Sequence, residues 1–337
     1  MADLSTTYMG IQLKNPIILG ASNLVTRPEI VKELEEAGVA AIVYKSIFEE
    51  QIQLESFQLE EDINEYANRN SEMSRLFPDI EHAGPKEHVY NLKKMRQSTS
   101  LPIIASLNAL YEPSWVEYAK LLEDTGVDAL ELNLYATPGY FEVGCASIEE
   151  KQYQIVRSVK KAVNIPVSVK LSPYYTNTLN FIKRLDEADV DGFVLFNRFF
   201  QPEIDVENED FYFPWELTQE RDRHLSLRYT GLLFGNIEGS ICASRGIYSA
   251  EDIIRMILSG ADAVQTVSAI YKNQPSYVAT MLKDLNDWMD KKDYKNLSDF
   301  RGKLSRKKLK DPFMYQRAQY VDILMKSDEI FKKYPMV

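Results

Sequence analysis

The sequence predicts an α/β protein whose parallel strands close into a barrel. Three observations carry that expectation. Short runs rich in Val, Ile and Leu recur along the chain. Longer stretches of helical period separate them, and no run reads as an obvious edge strand. Eight such βα units within about 270 residues fit a TIM (β/α)8 barrel closed by right-handed crossovers. The alternative is an open, doubly wound sheet.

Residues 5–15 alternate polar and apolar side chains around Gly10 and read as an N-terminal hairpin. The apolar runs then fall at 16–22, 40–46, 102–108, 129–135, 166–172, 192–198, 240–246 and 263–270. Their near-continuous hydrophobicity suits strands covered on both faces. Thr26 is placed to cap a helix running through Pro28 and Glu29, which Gly38 ends. Ser147 with Glu150 fits a capping box, and Ser249 with Asp252 does so before a helix that Gly260 closes. Two connections are too long to be plain turns. Residues 48–86 are polar and rich in Glu and Asn; residues 199–239 are rich in aromatics and charges, with room for extra strands. Both follow strand C-termini, so they read as long loops on the C-terminal face, where lids belong. Helical period continues from about Gln274 to the end, with no Pro/Gly/Ser linker. The chain 1–337 therefore reads as a single domain: a barrel over approximately 16–290 and a helical C-terminal extension over approximately 291–337.

Composition narrows the function. With 45% hydrophobic and 26% charged residues, the 337-residue chain has the balance of a soluble globular protein. A net charge of −11 makes nucleic acid a poor partner. Two cysteines, Cys145 and Cys242, are too few for a disulfide framework or an iron–sulfur site. No apolar run approaches the roughly 18 residues of a membrane span, and the start MADLSTTYMG has no signal-peptide pattern. A cytoplasmic protein without membrane contact is expected. The 14 glycines fall well below the roughly 7% typical of proteins, so glycine-rich phosphate loops should be few.

Catalytic groups of a barrel come from the C-terminal ends of its strands. Here those ends read Ser22-Asn23, Lys45-Ser46, Asn108, Asn133, Lys170, Asn197, Ser244-Arg245, and Thr266 with Ser268. Lysines and asparagines dominate. None of His82, His88 and His224 ends a predicted strand, and no carboxylate pair does; Glu131 lies inside the fourth. This disfavours metal-assisted hydrolysis, glycoside hydrolysis and a serine triad. Amide and ammonium groups suit a large planar polar ligand that becomes anionic on reduction, and a flavin fits. Lys170 is the candidate for its N1 and C2-carbonyl edge. Each lysine also has a plain reading as a structural ion pair, and each asparagine as a turn or cap.

These same residues resemble the dihydroorotate dehydrogenase family, specifically its soluble class 1 branch, from about Ser5 to Leu304. The segments are GIQLKNPIILGAS, YKS at 44–46, LELN at 130–133, VKLSP at 169–173, FNR at 196–198, SRGIYSAEDIIRMILSGADAVQTVSAI at 244–270 and DYKNLSDFRGKL at 293–304. The resemblance implies bound FMN, with Ala21, Ser22, Lys45, Ser46, Asn133, Lys170 and Asn197 lining it or its substrate face. Asn108 is a looser match, and Gly246 and Ser268 would help hold the phosphate, with Ser244 and Thr266 beside them. It also implies a homodimer.

Departures from the family pattern are specific. The proton-abstracting Cys or Ser is replaced by Ala136, and a substrate-binding Asn by Pro138. Tyr135 and Cys145 are the candidate substitutes, joining Lys45 as candidate catalytic residues. A small hydroxyl residue becomes Arg198, a candidate for a carboxylate on an altered substrate. Two family glycines become Arg245 and Val267, so FMN would be held with fewer backbone contacts and an added guanidinium; the alternative for Arg245 is a surface salt bridge. The implied activity is oxidation of dihydroorotate to orotate in pyrimidine biosynthesis, with a soluble electron acceptor or an electron-transfer partner. The alternatives are FMN oxidation of another small substrate, a non-catalytic FMN binder, and a Schiff-base aldolase or lyase using Lys170.

Overall fold

The computed structural model describes residues 2–50, 52, 85–136, 141–198, 201–212, 214, 216–326 and 328–334. Eight parallel strands close a TIM barrel in the order β3-β4-β5-β6-β7-β8-β11-β12. They are β3 (Ile17–Leu19), β4 (Ala41–Phe48), β5 (Ile103–Asn108), β6 (Ala129–Asn133), β7 (Val167–Leu171), β8 (Gly192–Leu195), β11 (Ser240–Ser244) and β12 (Ala263–Thr266). Helices alternate with them: α1 (Pro28–Ala37), α2 (Lys86–Ser98), α3 (Glu112–Glu123), α4 (Cys145–Ala162), α5 (Thr178–Asp186), α6 (Arg223–Leu233) and α7 (Ala250–Ser259). Parallel register sets Asn133 beside Lys170 and Ser244 beside Gln265, so their side chains gather at one end.

The hairpin β1 (Thr6–Tyr8) and β2 (Ile11–Leu13) forms where expected and closes the other end. Tyr8, Met9 and Leu13 pack under Ile18, Val43, Ile104 and Val194, with Ala41, Ala129 and Ala263 leaving them space. Gly192 is needed there: a Cβ would sit 2.8 Å from Met9 Cγ.

Several boundaries shift for local reasons. The last strand stops at Thr266, because Ser268 already opens α8 (Ser268–Asn273); the apolar Ala269 and Ile270 are buried on that helix. Helix α4 opens at Cys145 with Gly144 before it, so Ser147 lies within the first turn and its Oγ donates to Gly144 O at 2.7 Å. Thr26 ends a 3-10 turn, Asn23–Thr26, and α1 starts at Pro28 after an Arg27 that makes no side-chain cap. The Ser249–Asp252 capping box forms as read, and Gly38 and Gly260 end their helices.

The 48–86 connection falls mostly outside the described residues. The 199–239 connection carries a short hairpin, β9 (Glu203–Asp205) with β10 (Asp210–Tyr212), before α6. Trp288 near the end of α9 (Tyr277–Lys291) packs against Phe300, which also meets Tyr294, and α10 (Ala318–Met325) and α11 (Glu329–Lys333) complete the helical extension. Among the described residues, no helix is long and apolar enough to cross a membrane.

Candidate active site

The strand ends enclose a cavity of about 490 Å³, within the usual range for a small-molecule site. The expected Ala21, Ser22, Lys45, Ser46, Asn133, Lys170 and Asn197 line it. So do Arg198, Ser244, Arg245, Gly246, Thr266 and Ser268. Asn108 stands behind the wall instead, where its Nδ2 donates to Asn133 O at 3.2 Å and braces that strand end.

Three buried polar atoms of the lining have no hydrogen-bond partner: Ser22 Oγ, Asn133 Oδ1 and Arg245 Nε. Such atoms are costly to bury unsatisfied, so they mark where a polar ligand belongs. Lys45 forms no ion pair or hydrogen bond among the described residues and borders a second hollow that it shares with His88. Lys170 is held differently. Its Nζ donates to Gln265 Oε1 at 2.9 Å and lies 3.2 Å from Glu131 Oε1.

The loops after β8, β11 and β12 build the far wall. Arg245 takes φ +75 and Gly246 φ +65, a left-handed pair that turns the chain sharply out of β11. Arginine is strained there, whereas Gly246 is required: a Cβ would lie 2.6 Å from Arg223 N. The Arg245 guanidinium lines the cavity and lies 3.8 Å from Asp222, the longer ion pair of the alternative reading. Arg198 faces Glu216 at 3.7 Å. Ser268 Oγ accepts from Thr218 N at 3.1 Å and shares a 2.8 Å hydrogen bond with Thr218 Oγ1, tying the long loop to the mouth. Thr266 Oγ1 donates to Ile247 O at 2.9 Å, and Ser226 Oγ donates to Ser244 O at 2.6 Å, fixing the seventh and eighth strand ends.

The two candidate substitutes for the missing base do not line this cavity. Cys145 is exposed at the start of α4 and borders a separate hollow of about 80 Å³ together with Ala136. Burial pushes the Tyr135 phenol above its ordinary value, opposite to what a base at neutral pH needs. Pro138 lies outside the described residues.

Sequence reading missed Gln265, Ser106, Glu216 and Thr218, which also line the cavity. Ser106 shares a 2.6 Å hydrogen bond with Ser46. The usable signal was a polar residue inside an otherwise apolar strand: Gln265 in AVQT and Ser106 in IIASLN.

A closed barrel that gathers ammonium, guanidinium and amide groups at the C-terminal ends of its strands has the layout of a TIM-barrel enzyme site. The chain belongs to the dihydroorotate dehydrogenase family, oxidoreductases acting on CH–CH groups: residues 3–289 match the family described as Dihydroorotate dehydrogenase. It is 30% identical over 311 residues to the dihydroorotate dehydrogenase B (NAD(+)) catalytic subunit of Thermoplasma volcanium, covering 90% of this chain and 98% of that one. The same-named subunit of Thermoplasma acidophilum is 28% identical over 311 residues, covering 90% and 99%. Dihydroorotate dehydrogenase A (fumarate) of Lactobacillus helveticus is 31% identical over 193 residues, covering 54% and 62%.

Proposed function

We propose that this chain is an FMN-dependent oxidoreductase that oxidises dihydroorotate to orotate. The observation that carries the reading is the cavity itself: buried groups without partners, set among Lys45, Lys170 and Asn197 at one barrel mouth. The residues fit FMN. Asn133 and Asn197 offer amide groups to the polar edge of the ring, and Ala21 and Ser22 form the adjoining wall. Lys170 would supply positive charge to offset the negative charge of the reduced ring. Arg245, Gly246 and Ser268 lie at the ends of the seventh and eighth strands, where barrels often hold phosphate.

Bound FMN supplies the hydride acceptor for oxidation of a CH–CH pair. The substrate also gives up a proton, and Ala136 offers no acceptor for it. Lys45 lines the cavity and is proposed to offset the negative charge that develops as the substrate loses that proton. Arg198 is proposed to face the substrate's carboxylate. A Schiff-base role asks Lys170 for a free amine lone pair; its donation to Glu131 and Gln265 supports the charged ammonium instead. Relatives named as catalytic subunits support electron delivery to a partner protein.

The test is the visible spectrum of the purified protein before and after anaerobic addition of dihydroorotate. A flavin spectrum that bleaches on mixing is expected. A colourless protein that takes up no added FMN would sink the reading. A yellow protein that dihydroorotate fails to bleach keeps the cofactor and refutes the substrate.

A further inference from the structure

At the cavity floor lies a closed ring of three side chains. Glu131 is fully buried, its Oε1 3.2 Å from Lys170 Nζ. Its Oε2 accepts from Gln265 Nε2 at 2.5 Å, while Gln265 Oε1 accepts from Lys170 Nζ at 2.9 Å. Each member therefore touches the other two. The ring fixes which way the Gln265 amide points, because the reverse would set its N–H groups against an ammonium. It also occupies two of the three N–H groups of Lys170, leaving one for the cavity.

A buried carboxylate is expensive, and apolar packing would fill the same space at less cost. Below Glu131 the neighbours are Tyr8 and Cys242. Burial, with the charge of Glu131 adding to it, pushes both the phenol and the thiol up, so both stay neutral. Lys170 is thus the counter-charge that Glu131 faces among the described residues. The pair is neutral as a unit. A lone ammonium beside a ring that becomes anionic would favour reduction strongly; a carboxylate 3.2 Å behind it opposes that pull.

We propose that Glu131 is a positioning residue that sets how readily the bound flavin is reduced, by orienting Lys170 and offsetting its charge. This rests on the FMN reading above. Removing the carboxylate should unmask the ammonium and make reduction easier.

The experiment equilibrates the FMN-loaded protein with reference redox dyes and reads the ratio of reduced to oxidised flavin. Glu131→Gln keeps the shape and removes the charge. Its ratio is expected to rise at least tenfold at a given dye potential, about 30 mV for a two-electron couple. Lys170→Met should lower the ratio. If Glu131→Gln does not fold, Lys170→Met is compared with the double variant Glu131→Met, Lys170→Met, in which no charge is buried alone. The double variant should be the easier of the two to reduce. A loaded wild type whose ratio matches that of Glu131→Gln overturns the assignment of Glu131 alone, as does equality in the second comparison. A wild type that binds no FMN overturns the cofactor reading and this inference with it.

Discussion

His88 gives the protein a stability that depends on pH in a calculable way. Its ring packs edge-on against Tyr44, with centroids 5.4 Å apart, and its buried Nε2 has no hydrogen-bond partner. Burial, and then the charge of Lys45, lowers its pKa from 6.5 to about 4. The folded protein therefore holds a neutral imidazole where the unfolded chain takes up a proton. Stability rises with pH wherever the unfolded state binds more protons. The contribution of His88 is thus fully present above pH 6.5 and is lost as the pH falls toward about 4. The gap corresponds to about 3 kcal/mol in full, and to about 2 kcal/mol by pH 5. Urea midpoints of the wild type and of His88→Gln, taken across this window at constant ionic strength, measure it. Relative to the variant, the wild type should lose about 2 kcal/mol between pH 7 and pH 5. Parallel curves for the two proteins would refute the account.

Three further outcomes are expected. Arg245→Ala should weaken FMN binding about tenfold or more, the loss of one charge-assisted hydrogen bond, read by equilibrium dialysis; unchanged affinity would show that the guanidinium does not replace the lost glycine contacts. Asp252→Ala should cost about 3 kcal/mol in urea unfolding, because this buried carboxylate caps α7, accepts from Tyr248 N and holds Arg223 and Arg255; a loss below about 1 kcal/mol would contradict that. Cys145→Ala should leave the rate of flavin reduction by dihydroorotate unchanged, since the thiol borders the small hollow and not the cavity; a fall of about 10² or more would make it the proton acceptor.

Much of the barrel was legible because its strands are buried on both faces and so appear as apolar runs in the chain. The hairpin, the Ser249–Asp252 box and the Gly38 end are local signals, and local signals carry over directly. Errors arose where apolarity has two causes. Ala269 and Ile270 are buried in a helix, yet in sequence they extend a strand. The lysines and asparagines at strand ends were visible because a barrel gathers successive strand ends at one face. Gln265 was not, since its partner Glu131 lies 134 positions away and meets it through closure of the ring of strands. The strain at Arg245 was likewise hidden: a left-handed backbone is a property of the turn and not of the residue type.

The β1–β2 hairpin has a kinetic consequence. By filling the lower end of the barrel with Tyr8, Met9 and Leu13, it leaves the upper mouth as the way to the cavity among the described residues. Under the proposed function, a small-molecule oxidant and the reduced substrate then have to take turns at a single doorway. One must depart before the other arrives, so turnover with a soluble acceptor should show the parallel double-reciprocal lines of a two-stroke cycle.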